Sequence, residues 1–94
     1  FYALHLIMEF EWDPAKRLAN LAKHGLDFED VADLPWDTMT IVHDGRRDYG
    51  ERRSQAYGLW KERLYVVALT VRGDRIRIIS FRKANDREAK RYGS

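Results

Sequence analysis

A serine and an arginine near the end of one predicted strand are the first candidates for chemistry in this sequence. The strand reads RIRIISFR, and alternation places Ile76 and Ile78 on one face together with Ser80 and Arg82. A buried strand face that begins with two isoleucines normally carries further aliphatic residues. A hydroxyl beside a guanidinium is therefore unexpected on this face. Because arginine can chelate a phosphate through paired donors, this pattern predicts an anion site at the sheet edge. The alternative is an ordinary ion pair of this arginine with Asp86 or Glu88.

Three further side chains can transfer protons or hold charge during a reaction. Glu51 and Arg53 are two residues apart where a strand begins, so both point the same way and the carboxylate can act as a base beside its charge partner. A plain cross-strand salt bridge would use the same pair without catalysis. His24 follows Lys23 at the end of a predicted helix, where the dipole favours the protonated imidazole and hence a general acid or a phosphate ligand. The alternative for this histidine is a structural role at the helix end.

The charge is divided unevenly along the chain. Residues 1–45 hold three Lys/Arg and nine Asp/Glu, whereas residues 46–94 hold fourteen Lys/Arg and six Asp/Glu. This asymmetry indicates a basic face that meets phosphates and an acidic region that favours a basic partner. In the alternative interpretation, the two halves neutralise each other in the folded domain. The candidate phosphate contacts, each of which can also be solubilising charge, are Lys16, Lys23, Arg46, Arg47, Arg77 and Lys83.

Composition excludes several kinds of site. The chain has no cysteine, which rules out disulfides, thiolate nucleophiles and sulfur-ligated metals. Its three histidines are scattered, so the sequence predicts no metal site and no cofactor. The longest apolar stretch is far shorter than the roughly 20 residues that span a bilayer, so we expect no membrane contact. The lack of cysteine is compatible with the reducing cytoplasm, and we expect a cytoplasmic protein.

The length of 94 residues fits one domain with a modest core and a shallow site at its surface. The chain opens on Phe1 and its first methionine is Met8, so we interpret residues 1–8 as a tag or non-native leader and residues 9–94 as the domain.

The first half of the chain is predicted to be mainly helical. Alternating apolar residues up to Trp12 indicate a half-buried strand, after which Asp13 and Pro14 are typical of a helix start and Gly25 of a helix end. The predicted apolar face of this helix consists of Leu18, Leu21 and Ala22, and the polar side of Lys16, Asn20, Lys23 and His24. A second short helix follows, capped by Asp27.

The second half is predicted to form four strands and a final charged helix. Turn signals at residues 61–63 and at Gly73 and Asp74 separate the later strands. Helices that precede an antiparallel meander favour an α+β fold, in which helices pack on one face of an antiparallel sheet.

Three segments, in their order and spacing, resemble the BrnT family of toxins from type II toxin–antitoxin systems. They are FEWDPAKRLANLAKHG at residues 10–25, DGRRDYGERR at residues 44–53 and RIISFRKA at residues 77–84. The resemblance implies a RelE-like fold and a ribonuclease that cuts cellular RNA and arrests translation. It also implies a cognate, BrnA-like antitoxin that neutralises the toxin in a hetero-oligomer and carries the domain that binds operator DNA. Phe81 stands where the family pattern leads us to expect a small residue.

The chemistry that the resemblance implies uses the 2′-hydroxyl of RNA as nucleophile and needs no metal ion. The protein then supplies a base, a cation for the charge at phosphorus and an acid for the leaving oxygen. We expect Arg82 and Arg53 to be the cations, and Glu51 or His24 to transfer protons. Four aromatic residues can either stack bases or pack in the core: Trp12, Trp36, Trp60 and Tyr57. The rival interpretations are a non-catalytic RNA- or ribosome-binding domain and a protein-interaction module.

Overall fold

The computed structural model describes residues 9–44 and 53–93. Its elements are β1 (Glu9–Glu11), α1 (Pro14–His24), two 3-10 helices (Phe28–Asp33 and Trp36–Thr38), β2 (Thr40–Asp44), β3 (Arg53–Trp60), β4 (Arg63–Arg72), β5 (Arg75–Lys83) and α2 (Asp86–Tyr92). The predicted leader at residues 1–8 and the candidate site residues Arg46, Arg47 and Glu51 lie outside the described residues.

Five strands form one sheet in the order β1-β5-β4-β3-β2. Strands β2 to β5 are antiparallel neighbours joined in sequence, as predicted, whereas β1 pairs parallel with β5. The parallel edge differs from the fully antiparallel sheet that we expected. Parallel neighbours need a long connection, and the chain between β1 and β5, which contains α1, the 3-10 helices and β2 to β4, provides it. The predicted α+β fold is confirmed.

The structure confirms the predicted ends of α1 and the predicted turn between β3 and β4. The Asp13 side chain accepts a hydrogen bond of 2.9 Å from the Ala15 N–H, and Gly25 ends α1 in the left-handed region at φ 72°. Asp27 also caps, but the helix that it begins is a 3-10 helix. Lys61 and Glu62 connect β3 to β4 with φ of 52° and 65°, the two positive values that a tight hairpin turn requires.

Helix α1 is oriented opposite to the prediction. Leu18 is 62% and Leu21 39% exposed, whereas Asn20 is 7% exposed. The Asn20 Nδ2 donates to the Phe81 carbonyl at 2.8 Å, and the Phe81 N–H donates to the Asn20 Oδ1 at 3.1 Å. The pairing of β1 with β5 ends at Arg77, so the outer peptide groups of Phe81 need another partner. The asparagine amide supplies both bonds, which turns the polar side of α1 inward.

The main core lies on the sheet face that carries Ile76, Ile78 and Phe81, which we call the core face. The first 3-10 helix covers it with Phe28 and Val31, both 0% exposed. Three tryptophans also pack here: Trp36 is 2% exposed, and the half-buried Trp12 and Trp60 contact the same cluster. Core packing therefore accounts for all three tryptophans.

A β-bulge in β5 overturns the predicted face assignment of its side chains. Ala68 of β4 pairs with Ser80, but the next residue, Leu69, pairs with Ile78, which leaves Ile79 as an extra residue in β5. One inserted residue moves all later side chains to the other face. Ser80 and Arg82 therefore lie on the face opposite to Ile76 and Ile78, and Phe81 enters the core.

The opposite face, which we call the second face, carries Arg53, Tyr57, Ser80 and Arg82. Helix α2 packs over part of it, where Tyr92 stacks on Tyr57 with ring centroids 4.0 Å apart. Tyr57 is thus a packing residue here, being 7% exposed. None of the helices described is long and apolar enough to cross a membrane.

Candidate active site

A shallow groove of about 220 Å³ lies between α1 and the bulge of β5. It is lined by Lys16, Ala19, Asn20, Lys23, His24, Ile79 and Ser80. Four of these residues are candidate site residues from the sequence: Lys16, Lys23, His24 and Ser80. The groove thus brings two ammonium groups, an imidazole and a hydroxyl around one space, which suits an anionic ligand.

The inward turn of α1 is the reason why these groups meet. Lys16, Asn20 and Lys23 are spaced by four and three residues, so they share one side of the helix. Asn20 fixes that side to the edge of β5, and its Nδ2 also donates to the Leu26 carbonyl at 3.1 Å. The two lysines are therefore held beside Ser80, which the bulge places at the same edge.

His24 differs from its predicted electrostatics. We expected the helix dipole to favour the protonated ring, but partial burial lowers the pKa of His24 below its ordinary value, and the positive charges of Lys23 and Arg82 lower it further. Desolvation and two nearby cations thus act against the effect that we expected from the helix dipole. The imidazole is accordingly mainly neutral at pH 7, so it is better suited to accept a proton than to donate one.

Arg82 forms the ion pair that was the alternative to an anion site. Its Nη1 and Nη2 donate to the two carboxylate oxygens of Glu88 at 2.8 and 2.9 Å, and Nη1 also donates to the Lys83 carbonyl at 3.2 Å. This pair lowers the pKa of Glu88 and raises that of Arg82, so both groups stay charged. The bonds formed with the described part of the chain use three of the five N–H donors of Arg82 and leave the Nε–H and one N–H of Nη2 as a pair of donors for a phosphate.

Glu88 also anchors α2, which places this helix beside Arg82. It is the third residue of a capping box: the Asn85 side chain accepts from the Glu88 N–H at 2.8 Å, and the carboxylate accepts from the Asn85 N–H at 3.0 Å. Next to this pair, the Tyr57 hydroxyl donates to the Gln55 Oε1 at 2.8 Å. Burial raises the pKa of Tyr57, and the negative charge of Glu88 raises it further. The phenol therefore stays protonated.

Arg53 and Arg77 lie at the other end of the second face. Both are in register with Thr70 of β4, whereas Arg82 is in register with Val66. Four residues of strand separate these positions, which is about 13 Å. The strand register therefore does not bring Arg53 and Arg82 side by side.

Two other predicted phosphate contacts lie away from the groove. The Arg77 Nη1 pairs with the Glu11 Oε2 at 3.1 Å, so the alternative of charge neutralisation between the two halves holds at this end of the sheet. Lys83 is exposed at the end of β5 and does not line the groove. Within residues 9–44 and 53–93, no group of three or more acidic or histidine side chains is placed to hold a metal ion.

The comparison with protein families covers most of this structure. A family model described as the ribonuclease toxin BrnT of type II toxin–antitoxin systems matches residues 12–88. The chain belongs to the BrnT family. Among curated proteins, none matches the sequence significantly.

Membership in the BrnT family confirms the resemblance seen in the sequence. The chain is a ribonuclease toxin of a type II toxin–antitoxin system, which implies an RNA substrate and a cognate antitoxin. The matched residues include α1, the bulge of β5 and Glu88. The non-catalytic interpretations of the sequence are therefore set aside.

Sequence reasoning missed the roles of two residues that hold parts of the candidate site of this BrnT toxin in place, Asn20 at α1 and Glu88 at Arg82. The sequence pattern puts Asn20 on the polar side of α1 with Lys16 and Lys23, but its amide is the group that holds this side of the helix to β5. The sequence analysis names Glu88 only as a possible ion-pair partner of Arg82. Its position three residues after Asn85 is the signal that indicates the capping box.

Proposed function

We propose that this BrnT toxin cleaves RNA without a metal ion at the groove between α1 and β5. The observation that carries the proposal is the convergence of Lys16, Lys23, His24 and Ser80 around one space. Arg82 lies close enough to this space to lower the pKa of His24. These residues include a neutral imidazole and several cations, so the side chains of the protein can supply both the base and the charge stabilisation.

In the proposed reaction, His24 removes the proton of the 2′-hydroxyl of RNA. The 2′-oxygen forms a bond to phosphorus while the bond from phosphorus to the 5′-oxygen breaks, and the 5′-oxygen takes up a proton. The products are a 2′,3′-cyclic phosphate and a 5′-hydroxyl. Arg82 and the two groove lysines stabilise the charge that develops at phosphorus, and the Ser80 hydroxyl can donate to a phosphate oxygen.

The cations outside the groove are assigned to other parts of the RNA. Arg53 and Arg77 lie about 13 Å along the sheet from Arg82, and we assign to them a contact with a different phosphate of the same strand. Lys83 is a peripheral phosphate contact in this proposal. Arg46 and Arg47 stay predicted phosphate contacts, and Glu51 stays the predicted second proton-transfer group beside Arg53.

The proposed biological role follows from cleavage of RNA and from the family. Cutting cellular RNA arrests translation, and a BrnA-like antitoxin silences the toxin in a hetero-oligomer. Operator DNA is bound only through the antitoxin. Because both the RNA substrate and the antitoxin are made there, the proposed site of action is the cytoplasm.

Digestion of a defined RNA in the presence of EDTA tests the proposed chemistry. We expect the purified toxin to cut at an unchanged rate and to leave 2′,3′-cyclic phosphate ends. A parallel preparation of His24→Ala controls for contaminating nucleases. Activity that EDTA abolishes and magnesium restores, or products with a 5′-phosphate, would overturn the proposal.

A further inference from the structure

The outward side of α1 is an apolar stripe on the surface of the described domain. Pro14, Leu18, Leu21 and Ala22 follow the spacing with which a helix normally faces a core. Since Asn20 holds the opposite side of α1 to β5, this stripe points away from the sheet. Leu18 and Leu21 remain 62% and 39% exposed. A helix with this arrangement is typical of an element that packs against a second molecule.

We propose that this stripe is the docking surface for the cognate antitoxin, through an amphipathic antitoxin helix with basic residues along one edge. The inference rests on the proposed pairing of this toxin with an antitoxin. Helix α1 has 11 residues and is therefore about 16 Å long, which matches three turns of a partner helix. The alanines that flank the leucines allow a second helix to approach closely.

The charges beside the stripe indicate the chemistry of the partner. On the side of Leu21, Arg17 pairs with Asp27 at 2.7 Å and reaches Glu29 at 3.6 Å, while the Glu29 side chain stays 63% exposed. Asp30 and Asp33 follow on the same 3-10 helix, are exposed, and form no ion pair with the described residues. This edge is acidic, so it favours a partner helix with lysine or arginine there.

The same acidic edge argues against self-association through the stripe. Two copies of α1 packed antiparallel about a two-fold axis would place one acidic edge against the other, which is unfavourable. An antitoxin helix can carry the opposite charge along its whole edge.

The other edge of the stripe leads directly to the groove. Ala19 lines the groove together with Lys16 and Lys23, and it lies on α1 between the stripe and the lysines. A partner helix on Leu18 and Leu21 is therefore adjacent to the proposed RNA site. Docking here places antitoxin residues where they can cover the groove lysines.

The test measures the Kd between the purified antitoxin and toxin variants. Leu18→Glu with Leu21→Glu places two charges on the stripe, and glutamate supports a helix about as well as leucine. Leu59→Glu is the matched control, since Leu59 is 52% exposed but lies on β3, two strands away from β5. We expect the double variant to raise the Kd at least roughly 10-fold, and the control to stay within about 2-fold.

A second arm tests the acidic edge without touching the apolar residues. Asp30→Lys should also raise the Kd, and the loss should shrink at high salt because screening weakens the wild-type attraction. Circular dichroism confirms that each variant is folded.

Three results would overturn the docking surface. They are a Kd of the double variant within about 2-fold of wild type, an equal loss in Leu59→Glu, and a stripe variant that only converts a toxin dimer to a monomer while antitoxin affinity is unchanged. RNA cleavage by the free toxin is measured separately and should be unchanged in the stripe variants. A wild-type toxin that fails to cut RNA would contradict the proposed function, whereas the Kd comparison would still decide the docking surface.

Discussion

The two ends of the β5 edge contain similar numbers of cations, but their surroundings differ. At the end near α1, Lys16 and Lys23 line the groove and form no ion pair with the described residues. At the end near β1, Arg77 is held by Glu11 at 3.1 Å. The acidic first half of the chain thus neutralises one end of the sheet and leaves the other positive. A basic residue in the sequence is therefore a site candidate only once its carboxylate neighbours are known.

Arg82 provides the strongest test of this difference. Arg82→Ala should lower the RNA cleavage rate about 100- to 1000-fold, because one charge contact to the transition state is lost. Arg82→Lys should restore little of this activity, since the ammonium keeps the charge but not the paired donors. Single-turnover cleavage measures both.

The Glu88 pair of Arg82 makes a control necessary. Glu88→Gln removes the charge partner but keeps the side-chain shape, so it should lower the melting temperature while Arg82 stays available to RNA. If Arg82→Ala is folded and cuts at the wild-type rate, Arg82 is only a structural partner of Glu88. The candidates for the cation and base would then be Arg53 and Glu51.

The two groove lysines should have a smaller effect that appears in binding. Each lysine that neutralises a phosphate of single-stranded RNA contributes about 0.7 to the slope of log affinity against log salt concentration. Lys16→Ala and Lys23→Ala should each make the slope shallower by about this amount. RNA titrations at several salt concentrations measure it, and unchanged slopes in both variants would exclude the groove as a phosphate site.

Arg77 should have the smallest effect. Its half-exposed ion pair with Glu11 is worth about 0 to 1 kcal/mol, so Arg77→Ala should lower stability only slightly. Because Arg77 lies about 13 Å along the sheet from Arg82 and away from the groove, RNA cleavage should fall less than 3-fold, which corresponds to about 0.6 kcal/mol. A loss in Arg77→Ala as large as that in Arg82→Ala would remove the proposed difference between the two ends.

The fold was largely predictable because its signals are local. Asp13 with Pro14 and Gly25 set the ends of α1, and the apolar runs between turn residues set the meander. The parallel pairing of β1 was not predictable in this way. The choice of β5 as the partner of Glu9–Glu11 depends on contacts between residues far apart in sequence, which no local pattern indicates.

The candidate site was predictable in its residue types but not in its geometry. The bulge at Ile79 depends on how β5 meets β4, and alternation alone put Ser80 and Arg82 on the wrong face. The inward turn of α1 depends on the unpaired edge at Phe81, 61 residues away from Asn20 in sequence. Hydrophobic periodicity therefore assigned the wrong side of the helix to the core.

The pH dependence of single-turnover RNA cleavage, compared between wild type and His24→Ala, tests the groove most directly. A base with a lowered pKa is active above that pKa and loses activity as it is protonated, so the wild-type rate should fall on the acid side with a midpoint below 6.5. His24→Ala should be at least about 100-fold slower, with RNA binding nearly unchanged and no such acid limb. A His24→Ala toxin that cuts at the wild-type rate, with the same acid limb, would contradict the proposal that the groove between α1 and β5 is the catalytic site.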